Sequence, residues 1–398
     1  MSAQILAIGT AVPSARLPQD RTRDFFAEQP SVNRLAARLI GAAFDQSAIE
    51  NRYSVIGSPG DDSALFTDGE GRLRAPSTGE RNLIYRAEAP PLTAAAARDA
   101  LERSGCSAAE VTHVVTASCT GFFAPGPDFL LVRQLGLPPT TERTHIGFMG
   151  CAAAFPALRT ATRICEARPG SVVLVVCTEL CSLHIRSSND PEQIVASAVF
   201  GDGAAAAVVS SPDRGRVGPA LEVGEFSTAI TAEGEEDMDW TIGDHGFEMR
   251  LTANVPRIIG REIANVAESM LGAGSDPVAD VDAWAVHPGG RSVLDRVQEG
   301  LGLPDAAMSD SRAVLRDYGN MSSATVLFIL QRILADDTLG ADARIAALGF
   351  GPGLTVETAR FLRVSGDGAA AGRDGAEASS DRGAPAARQE ADAIGIGA

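Results

Sequence analysis

The chain has 398 residues and a formal net charge of −17, and all 34 of its basic residues are arginines because it contains no lysine. The acidic balance argues against nucleic acid as a partner, and the missing lysines exclude Schiff-base chemistry on a lysine side chain. The length is enough for two domains or for one large duplicated domain.

The first residues and the cysteines indicate the compartment. Residues 1–13 lack the basic region of a secretion signal, and no apolar run reaches the roughly 18 residues of a membrane span, so we expect a cytoplasmic protein without an integral membrane segment. Six cysteines without a short framework spacing are typical of reduced thiols. Cys177, Cys181 and His184 could offer three zinc ligands, but no fourth ligand is near in sequence and no metal is predicted.

The predicted elements repeat along the chain. An apolar strand within 109–118 precedes a helix that ends in LVRQLGLP (131–138), and an apolar strand within 279–287 precedes a helix that ends in RVQEGLGLP (296–304). In each half, a turn of small residues then opens a second helix, and a further apolar strand follows. A repeat of about 166 residues is too long for a solenoid. It predicts a duplicated βαβ domain whose halves pack together.

Three polar residues occupy corresponding places in the two halves. Cys151 opens the second helix of the first half in GCAAAF, Asn320 opens its counterpart in GNMSS, and His287 ends a strand in VHPGG. Ligands of open α/β sheets bind beyond the carboxyl ends of strands, so a pseudo-two-fold axis would bring all three to one interface. The start of a helix also favours a thiolate at Cys151. Taken singly, they would fit a buried cysteine, a structural histidine and a helix cap, but together they favour chemistry.

Two stretches differ from their surroundings. Residues 366–398 have very few large apolar side chains, so they cannot bury enough surface to offset the ordering entropy and are predicted to form a disordered tail. The segment 57–82, rich in glycine, serine, proline and aspartate, is predicted to be a mobile loop.

Five motifs carry a resemblance to a known family: GC at 150–151, FGDGAAA at 200–206, HPGG at 287–290, GNMSS at 319–323 and GFGPGLTVET at 349–358. They are similar to motifs of the type III polyketide synthases, the chalcone-synthase-like branch of the thiolase fold. The resemblance implies an α/β, thiolase-like duplicated αβαβα five-layered fold and a homodimer. It divides the chain into an N-terminal half, 1–217, that carries the cysteine and a C-terminal half, 218–365, that carries the histidine and the asparagine.

The resemblance implies that Cys151, His287 and Asn320 are catalytic. A Cys151 thiolate, kept ionised by an imidazolium, would take an acyl group from a CoA thioester. Malonyl-CoA would then lose CO2, and His287 and the Asn320 amide would donate hydrogen bonds to the enolate oxygen. Attack of the carbanion on the Cys151 thioester would extend the chain before cyclisation. The expected partners are acyl-CoA and malonyl-CoA as substrates, with no cofactor and no metal.

Six further residues correspond to positions that shape the substrate pocket: Phe200, Met249, Cys119, Cys181, Trp240 and Ser322. The resemblance makes Phe200 and Met249 the gate between the CoA tunnel and the cavity, although Phe200 also fits a core aromatic before a glycine turn. A flexible methionine would make a softer gate than a second phenylalanine.

The remaining pocket positions depart from those of plant enzymes. Cys119 and Cys181 stand at threonine positions, and Ser322 matches a serine close to the catalytic cysteine. Trp240 replaces a floor glycine, so we expect it to block the coumaroyl pocket or to redirect chain growth. Ala124 replaces a methionine that reaches into the neighbouring subunit's cavity, which would open that wall. These changes suggest a linear acyl starter.

The resemblance leaves the CoA phosphates without assigned partners. Plant members present several basic residues on a helix near the tunnel mouth, whereas the matching stretch here, 34–53, offers only Arg34, Arg38 and Arg52. Phosphate groups bind favourably to positively charged side chains, so the small number of arginines in this stretch is a departure from the family pattern.

The leading interpretation is a bacterial type III polyketide synthase that condenses malonyl-CoA units onto an acyl-CoA starter and cyclises the chain to an alkylpyrone or alkylresorcinol. Three alternatives stay open: a malonyl-primed synthase of a small phenol or naphthalene, a ketoacyl synthase III-like enzyme, and a non-catalytic acyl-CoA-binding thiolase-fold protein. Dependence on a carrier protein would identify the second alternative, and binding without turnover would identify the third.

Overall fold

The computed structural model describes residues 2–57, 66–212, 217–271 and 278–366. The predicted tail, 366–398, lies outside these residues except for Gly366, and so do residues 58–65 of the predicted loop at 57–82. The rest of that segment contains a bridge between Thr67 and Leu73 and the start of a long helix at Thr78.

Within the described ranges the chain forms thirteen strands: β1 (Gln4–Ala11), β2 (Ala15–Pro18), β3 (Asn51–Ser54), β4 (His113–Ser118), β5 (Glu142–Gly147), β6 (Val172–Leu180), β7 (Asp202–Ser210), β8 (Ala220–Ile230), β9 (Met238–Gly243), β10 (Gly246–Leu251), β11 (Ala283–Val286), β12 (Arg344–Gly351) and β13 (Thr355–Val364). The same ranges contain ten α-helices: α1 (Gln19–Ala27), α2 (Arg34–Asp45), α3 (Thr78–Ser104), α4 (Pro127–Leu135), α5 (Ala154–Ala167), α6 (Pro191–Val199), α7 (Val255–Leu271), α8 (Arg291–Leu301), α9 (Ser309–Tyr318) and α10 (Thr325–Leu334). None of these helices is both long enough and apolar enough to cross a lipid bilayer.

Nine strands are hydrogen-bonded in the order β11-β12-β13-β8-β1-β7-β6-β4-β5. Strand β4 runs parallel to β5 and β6, and β11 runs parallel to β12, whereas the other neighbours are antiparallel. The halves meet where β1 pairs with β8, through Gln4 with Glu222 and Ile5 with Leu221. Outward from this junction, the order β8-β13-β12-β11 in the second half corresponds to the order β1-β7-β6-β4 in the first half. This correspondence confirms the predicted duplication.

Matching helix ends make the repeat visible. Strand β4 leads to α4 and β11 leads to α8, and both helices end at a glycine in the left-handed conformation, Gly136 and Gly302, each with φ of 64°. Glycine adopts this conformation without the steric cost of a Cβ atom, so the repeated LGLP sequence ends the helix at the same point in each half.

The apolar clusters separate the molecule into layers. Helices α5 and α10 lie between the two sets of strands, while α3 packs on the outer face of the first set and α7 and α8 pack on the outer face of the second. The alternation along β12 shows the arrangement, because Ile345 and Ala347 face the central helices whereas Ala346 and Leu348 face the outer ones. The predicted five-layered αβαβα fold is confirmed.

A two-stranded ribbon lies outside the main sheet. Strands β9 and β10 pair with each other in antiparallel fashion, and Met249 lies directly opposite Trp240. The same strand places Phe247 two residues from Met249, so both side chains project from one face.

Candidate active site

Cys151 lies in a short 3-10 turn, Gly150–Ala152, just before α5 rather than within its first α-helical turn. Gly150 has φ of 64°, and a Cβ atom there would clash with the ring of Pro352. A glycine is therefore required both by the backbone conformation and by the segment that passes beside the turn. The Cys151 thiol is half-buried, and its Sγ atom lies 3.9 Å from Nδ2 of Asn320.

Asn320 is held by its backbone and by its side chain. Its N–H donates to the carbonyl of Val199 at 2.9 Å, and its carbonyl accepts from the N–H of Gly201 at 3.0 Å. Its Oδ1 atom accepts from the N–H of Ser322 at 2.8 Å, and Ser322 has the uncommon φ of 48°. The amide nitrogen is the donor of this side chain and faces the thiol, and the Sγ atom of Cys151 also lies 4.0 Å from Oδ1.

His287 follows β11 at the carboxyl end of the strand. Its backbone N–H donates to the carbonyl of Leu348 at 2.8 Å, and its imidazole is completely buried. Neither ring nitrogen has a hydrogen-bond partner among the described residues. Two buried, unpaired ring nitrogens are costly unless a ligand or water satisfies them.

One cavity joins these side chains. We call it the Cys151 cavity, and its lining contains Cys151, His287 and Asn320. The duplicated fold therefore brings together the three residues that the sequence analysis placed at one interface. Phe200 and Met249 also line it, together with Trp240.

Burial controls ionisation in this cavity. It raises the pKa of the Cys151 thiol to about 11 and lowers the pKa of the His287 imidazole to about 3. A thiolate or an imidazolium alone is therefore disfavoured, because an isolated charge loses its hydration there. No hydrogen bond joins Cys151 to His287 among the described residues, and the resting thiolate–imidazolium pair stays a prediction.

The other predicted pocket residues lie behind the lining. Cys119, Cys181 and Ser322 are almost completely buried and do not contribute to the described wall of the Cys151 cavity. The Sγ atom of Cys119 lies 3.3 Å from Oγ of Ser322, so these two side chains contact each other behind the cavity wall. Ala124 is exposed and lies outside the lining as well.

Glu179 is a buried carboxylate beside the site that the sequence analysis missed. It is completely buried at the end of β6, and it accepts hydrogen bonds from the N–H of Cys119 at 3.0 Å, from the hydroxyl of Thr120 at 3.0 Å and from the hydroxyl of Ser323. Burial raises the pKa of its carboxyl group. The carboxylate joins strand ends of the first half to the Asn320 turn of the second half. An acidic residue in an otherwise apolar strand was the signal that could have revealed it.

The ribbon forms the wall opposite the three polar side chains and is anchored by side chains of the main body. Nε2 of His184 donates to the carbonyl of Thr120 at 2.9 Å, and Nδ1 accepts from the N–H of Phe247 at 3.0 Å. The imidazole stacks on the Phe247 ring with centroids 4.1 Å apart. Gln193 adds a hydrogen bond from its side-chain amide to the carbonyl of Met249 at 2.7 Å.

These contacts also define the chemistry of His184. Burial lowers the pKa of this histidine to about 3, and the two hydrogen bonds fix a neutral tautomer. Both ring nitrogens are used by the protein, so neither is free to bind zinc with Cys177 and Cys181. Among the described residues there is no group of three or more side chains suited to hold a metal ion.

A second cavity continues from the first. It shares Leu251, Gly289 and Val293 with the Cys151 cavity, and we call it the entrance cavity. Arg257 and Arg296 line it.

The three arginines that the sequence analysis considered lie elsewhere. Arg34 and Arg38 are exposed on α2 and do not contribute to the described lining of the entrance cavity. Arg52 is almost completely buried, and it donates to the carbonyls of Ser197 and Phe200 at 2.7 Å each. Its guanidinium therefore holds the backbone before the gate residue rather than a ligand at the surface.

Comparison with known proteins covers nearly the whole described chain. Residues 1–213 match the family model for the N-terminal domain of chalcone and stilbene synthases, and residues 225–365 match the model for the C-terminal domain. The alpha-pyrone synthesis polyketide synthase-like Pks18 of Mycobacterium tuberculosis is 35% identical over 292 residues, which cover 72% of this chain and 74% of Pks18.

Solved structures agree with this result. The C-terminal type III polyketide synthase domain of Steely1 from Dictyostelium is 28% identical with a TM-score of 0.83, and the match covers 92% of this chain and 100% of that domain. The 1,3,6,8-tetrahydroxynaphthalene synthase of Streptomyces coelicolor A3(2) is 27% identical with a TM-score of 0.80, over 91% of this chain and 99% of that one. The chain therefore belongs to the chalcone and stilbene synthase family and is a type III polyketide synthase.

Proposed function

We propose that this synthase loads an acyl group from an acyl-CoA starter onto Cys151 and extends it with malonyl-CoA units by decarboxylative Claisen condensation. The product that the observations favour is an alkylpyrone or alkylresorcinol. The observation that carries the proposal is the Cys151 cavity, where a half-buried thiol faces an amide donor and a buried imidazole with no protein partner.

Loading requires a proton transfer without a net change of charge. The thiol proton passes to a free ring nitrogen of His287 as the sulfur attacks the thioester carbonyl, and the CoA thiolate leaves and takes up that proton. Transient pairing of the thiolate with the imidazolium offsets the burial that disfavours each charge alone. Loading therefore leaves His287 neutral for the next step.

Condensation uses the donors of the same cavity. Malonyl-CoA loses CO2, and the electron pair of the broken bond moves into an enolate whose oxygen accepts from the His287 N–H and from Nδ2 of Asn320. Such preorganised donors contribute roughly 10²–10³-fold each to rate in comparable oxyanion sites. The enolate carbon then attacks the Cys151 thioester, a C–C bond forms, and the C–S bond breaks to release the thiolate. The extended chain on CoA is returned to Cys151 for the next round.

The lining favours an acyl starter. Around the polar side chains the cavity is walled by Met249, Leu251, Val293 and Phe350, and burial of each methylene of an alkyl chain on such a surface stabilises binding by about 0.8 kcal/mol. Pks18 is described as an enzyme of alpha-pyrone synthesis, which supports the pyrone outcome. A malonyl-primed synthase of a naphthalene is the second candidate, supported by similarity to the tetrahydroxynaphthalene synthase.

The entrance cavity fits the other end of the substrate. Two arginines line an opening that leads to the thiol, and the phosphates of CoA are polyanionic. We infer that Arg257 and Arg296 replace the basic helix that the chain lacks at 34–53.

A homodimer is also part of the proposal. Strand β5 is an edge of the main sheet with exposed side chains along most of its length. The exposed Met149 follows it in sequence, and the exposed Phe122 packs against the ring of Phe148. Exposed edge strands with apolar neighbours are normally covered, and symmetric dimers are the commonest way to do so.

Intact-protein and product mass spectrometry tests the proposed function. The chain would be incubated with malonyl-CoA and starters from acetyl-CoA to long-chain acyl-CoA, beside Cys151→Ala and, as a matched control, Cys165→Ala, which removes a thiol from the core. We expect an acyl adduct and a cyclised ketide in the wild type and in Cys165→Ala but not in Cys151→Ala. An adduct that persists in Cys151→Ala, or no adduct and no CO2 release with any starter, would overturn the proposal.

A further inference from the structure

Trp240 presents an unpaired hydrogen-bond donor at the Cys151 cavity. The side chain lines the cavity from the ribbon and is 9% exposed. Its indole Nε1–H is buried and has no acceptor among the described residues. A buried tryptophan N–H normally finds a partner, because a buried donor without an acceptor destabilises the fold.

The indole cannot easily turn toward water. Three rings contact it edge to face: Phe148 at 6.4 Å, Phe200 at 6.1 Å and His184 at 6.2 Å between centroids. His184 is itself fixed by two hydrogen bonds. A rotation of the indole would break all three ring contacts, so the orientation of the N–H is part of the folded structure.

No side chain or carbonyl among the described residues accepts a hydrogen bond from this donor. The side chains of Met238, Leu251 and Val293 in the lining have no strong acceptor, and the Oδ1 atom of Asn320 already accepts from the N–H of Ser322. Asp239, next in sequence to Trp240, is exposed and accepts from the hydroxyl of Thr241 at 3.0 Å. The acceptor is therefore supplied by whatever occupies the cavity.

We propose that the Trp240 N–H donates to a keto oxygen of the growing chain, which makes Trp240 a specificity-determining residue as well as a bulky wall. A polyketide chain carries a carbonyl on every second carbon, so a chain attached at Cys151 has acceptors that a saturated acyl group lacks. The inference deepens the proposed function and rests on it for the identity of the chain. The donor distinguishes a β-ketoacyl chain from an alkyl chain of equal length.

Binding to a protein that cannot be acylated tests the donor directly. In the Cys151→Ala background, the Kd of acetoacetyl-CoA and of butyryl-CoA would be measured by calorimetry with Trp240 and with Trp240→Phe. We expect tighter binding of acetoacetyl-CoA by about tenfold with Trp240, since about 1.4 kcal/mol corresponds to a factor of ten. Trp240→Phe should lose this preference, and Trp240→His, which restores a ring N–H, should regain part of it.

A size control keeps the test specific. Phe148→Leu removes a ring that supports Trp240 but no hydrogen-bond donor, and the keto preference should survive it. An equal keto preference in the Trp240 and Trp240→Phe proteins would overturn the inference, and so would an equal loss in Phe148→Leu and Trp240→Phe. These binding measurements need no turnover, so a failure of the proposed function in mass spectrometry is distinguishable from a failure here.

In the catalytically competent protein the readout is product length. Trp240→Phe should lower the ratio of longer to shorter ketide products by about tenfold relative to the wild type, because later intermediates carry more keto groups. An unchanged ratio would also count against the inference.

Discussion

The two sides of the Cys151 cavity are held in different ways. On one side, His287 and Asn320 are fixed by backbone hydrogen bonds, to Leu348 in β12 of the main sheet and to Val199 at the end of α6. On the other side, the β9–β10 ribbon is anchored to the body by side chains, among them His184 and Gln193. The fold itself therefore positions the reacting groups, whereas exchangeable side chains set the shape of the pocket. The chemistry can persist while the product changes.

A substitution of His287, on the sheet side of the cavity, should have the largest effect on activity. His287→Ala removes both the proton acceptor for Cys151 and a donor to the enolate, so we expect kcat for product formation to fall by about 10³-fold or more. Iodoacetamide labelling of Cys151 near neutral pH should also slow by about 100-fold, because the thiol loses the imidazole to which we propose that its proton passes. Steady-state product formation and timed labelling measure the two effects. Labelling at the wild-type rate would show that His287 does not assist ionisation.

Asn320→Asp should separate the two half-reactions. The amide donor is replaced by a carboxylate that repels the enolate, so we expect malonyl-CoA decarboxylation and condensation to fall by roughly 10²–10³-fold. Loading of the starter does not form that enolate and should continue. Intact mass spectrometry of the acyl adduct and measurement of CO2 release distinguish the steps. Equal losses in both would mean that Asn320 acts mainly on the thiol, from which its Nδ2 atom lies 3.9 Å away.

The entrance cavity is lined by residues from both sides of the Cys151 cavity, and substitutions in it should change activity less than those above. Arg257→Glu places a negative charge where we infer that CoA phosphates bind, so KM for malonyl-CoA should rise by about tenfold while kcat stays similar. The increase should shrink at high salt because exposed charges are screened. Arg38→Glu on α2 is the matched control with the same change of charge, and it should leave KM near the wild-type value. A larger rise in KM for Arg38→Glu than for Arg257→Glu would instead indicate that the CoA phosphates bind at α2.

On the ribbon side, we expect His184 to make the free energy of unfolding depend on pH. The pKa of His184 is about 3 in the folded chain, and a histidine in an unfolded chain has a pKa of about 6.5, so the unfolded state binds more protons between those values. Stability therefore falls as the pH decreases below about 6.5, by about 2 kcal/mol at pH 5 for such a group. Urea unfolding at about pH 7 and pH 5 measures the loss.

His184→Gln isolates this contribution. The wild type and the variant share His287, which acts in the same direction, and Asp202, whose pKa is raised by burial to about 6 and which acts in the opposite direction. We expect the variant to lose less stability on acidification than the wild type does. Equal losses would show that the His184 contacts do not depend on its neutral form.

Much of this architecture can be predicted from the sequence because its signals are local. The strands follow from apolar runs, the ends of α4 and α8 follow from the repeated glycine, and the duplication aligns Cys151 with Asn320. Their presence in one cavity follows once the halves are packed about a pseudo-two-fold axis. The sequence by itself therefore determined the fold class and the three polar residues of the site.

The tertiary structure alone decided what these residues experience. Glu179, His184 and the Trp240 N–H gain their roles from contacts with residues far away in the chain, such as His184 with Thr120 and Phe247. The shifted pKa values of Cys151 and His287 arise in the same way, since burial is produced by neighbours from both halves. Local sequence patterns specify which groups are present. The free energy of a charge or of an unpaired donor depends on what surrounds it in three dimensions, and only the packed molecule provides that.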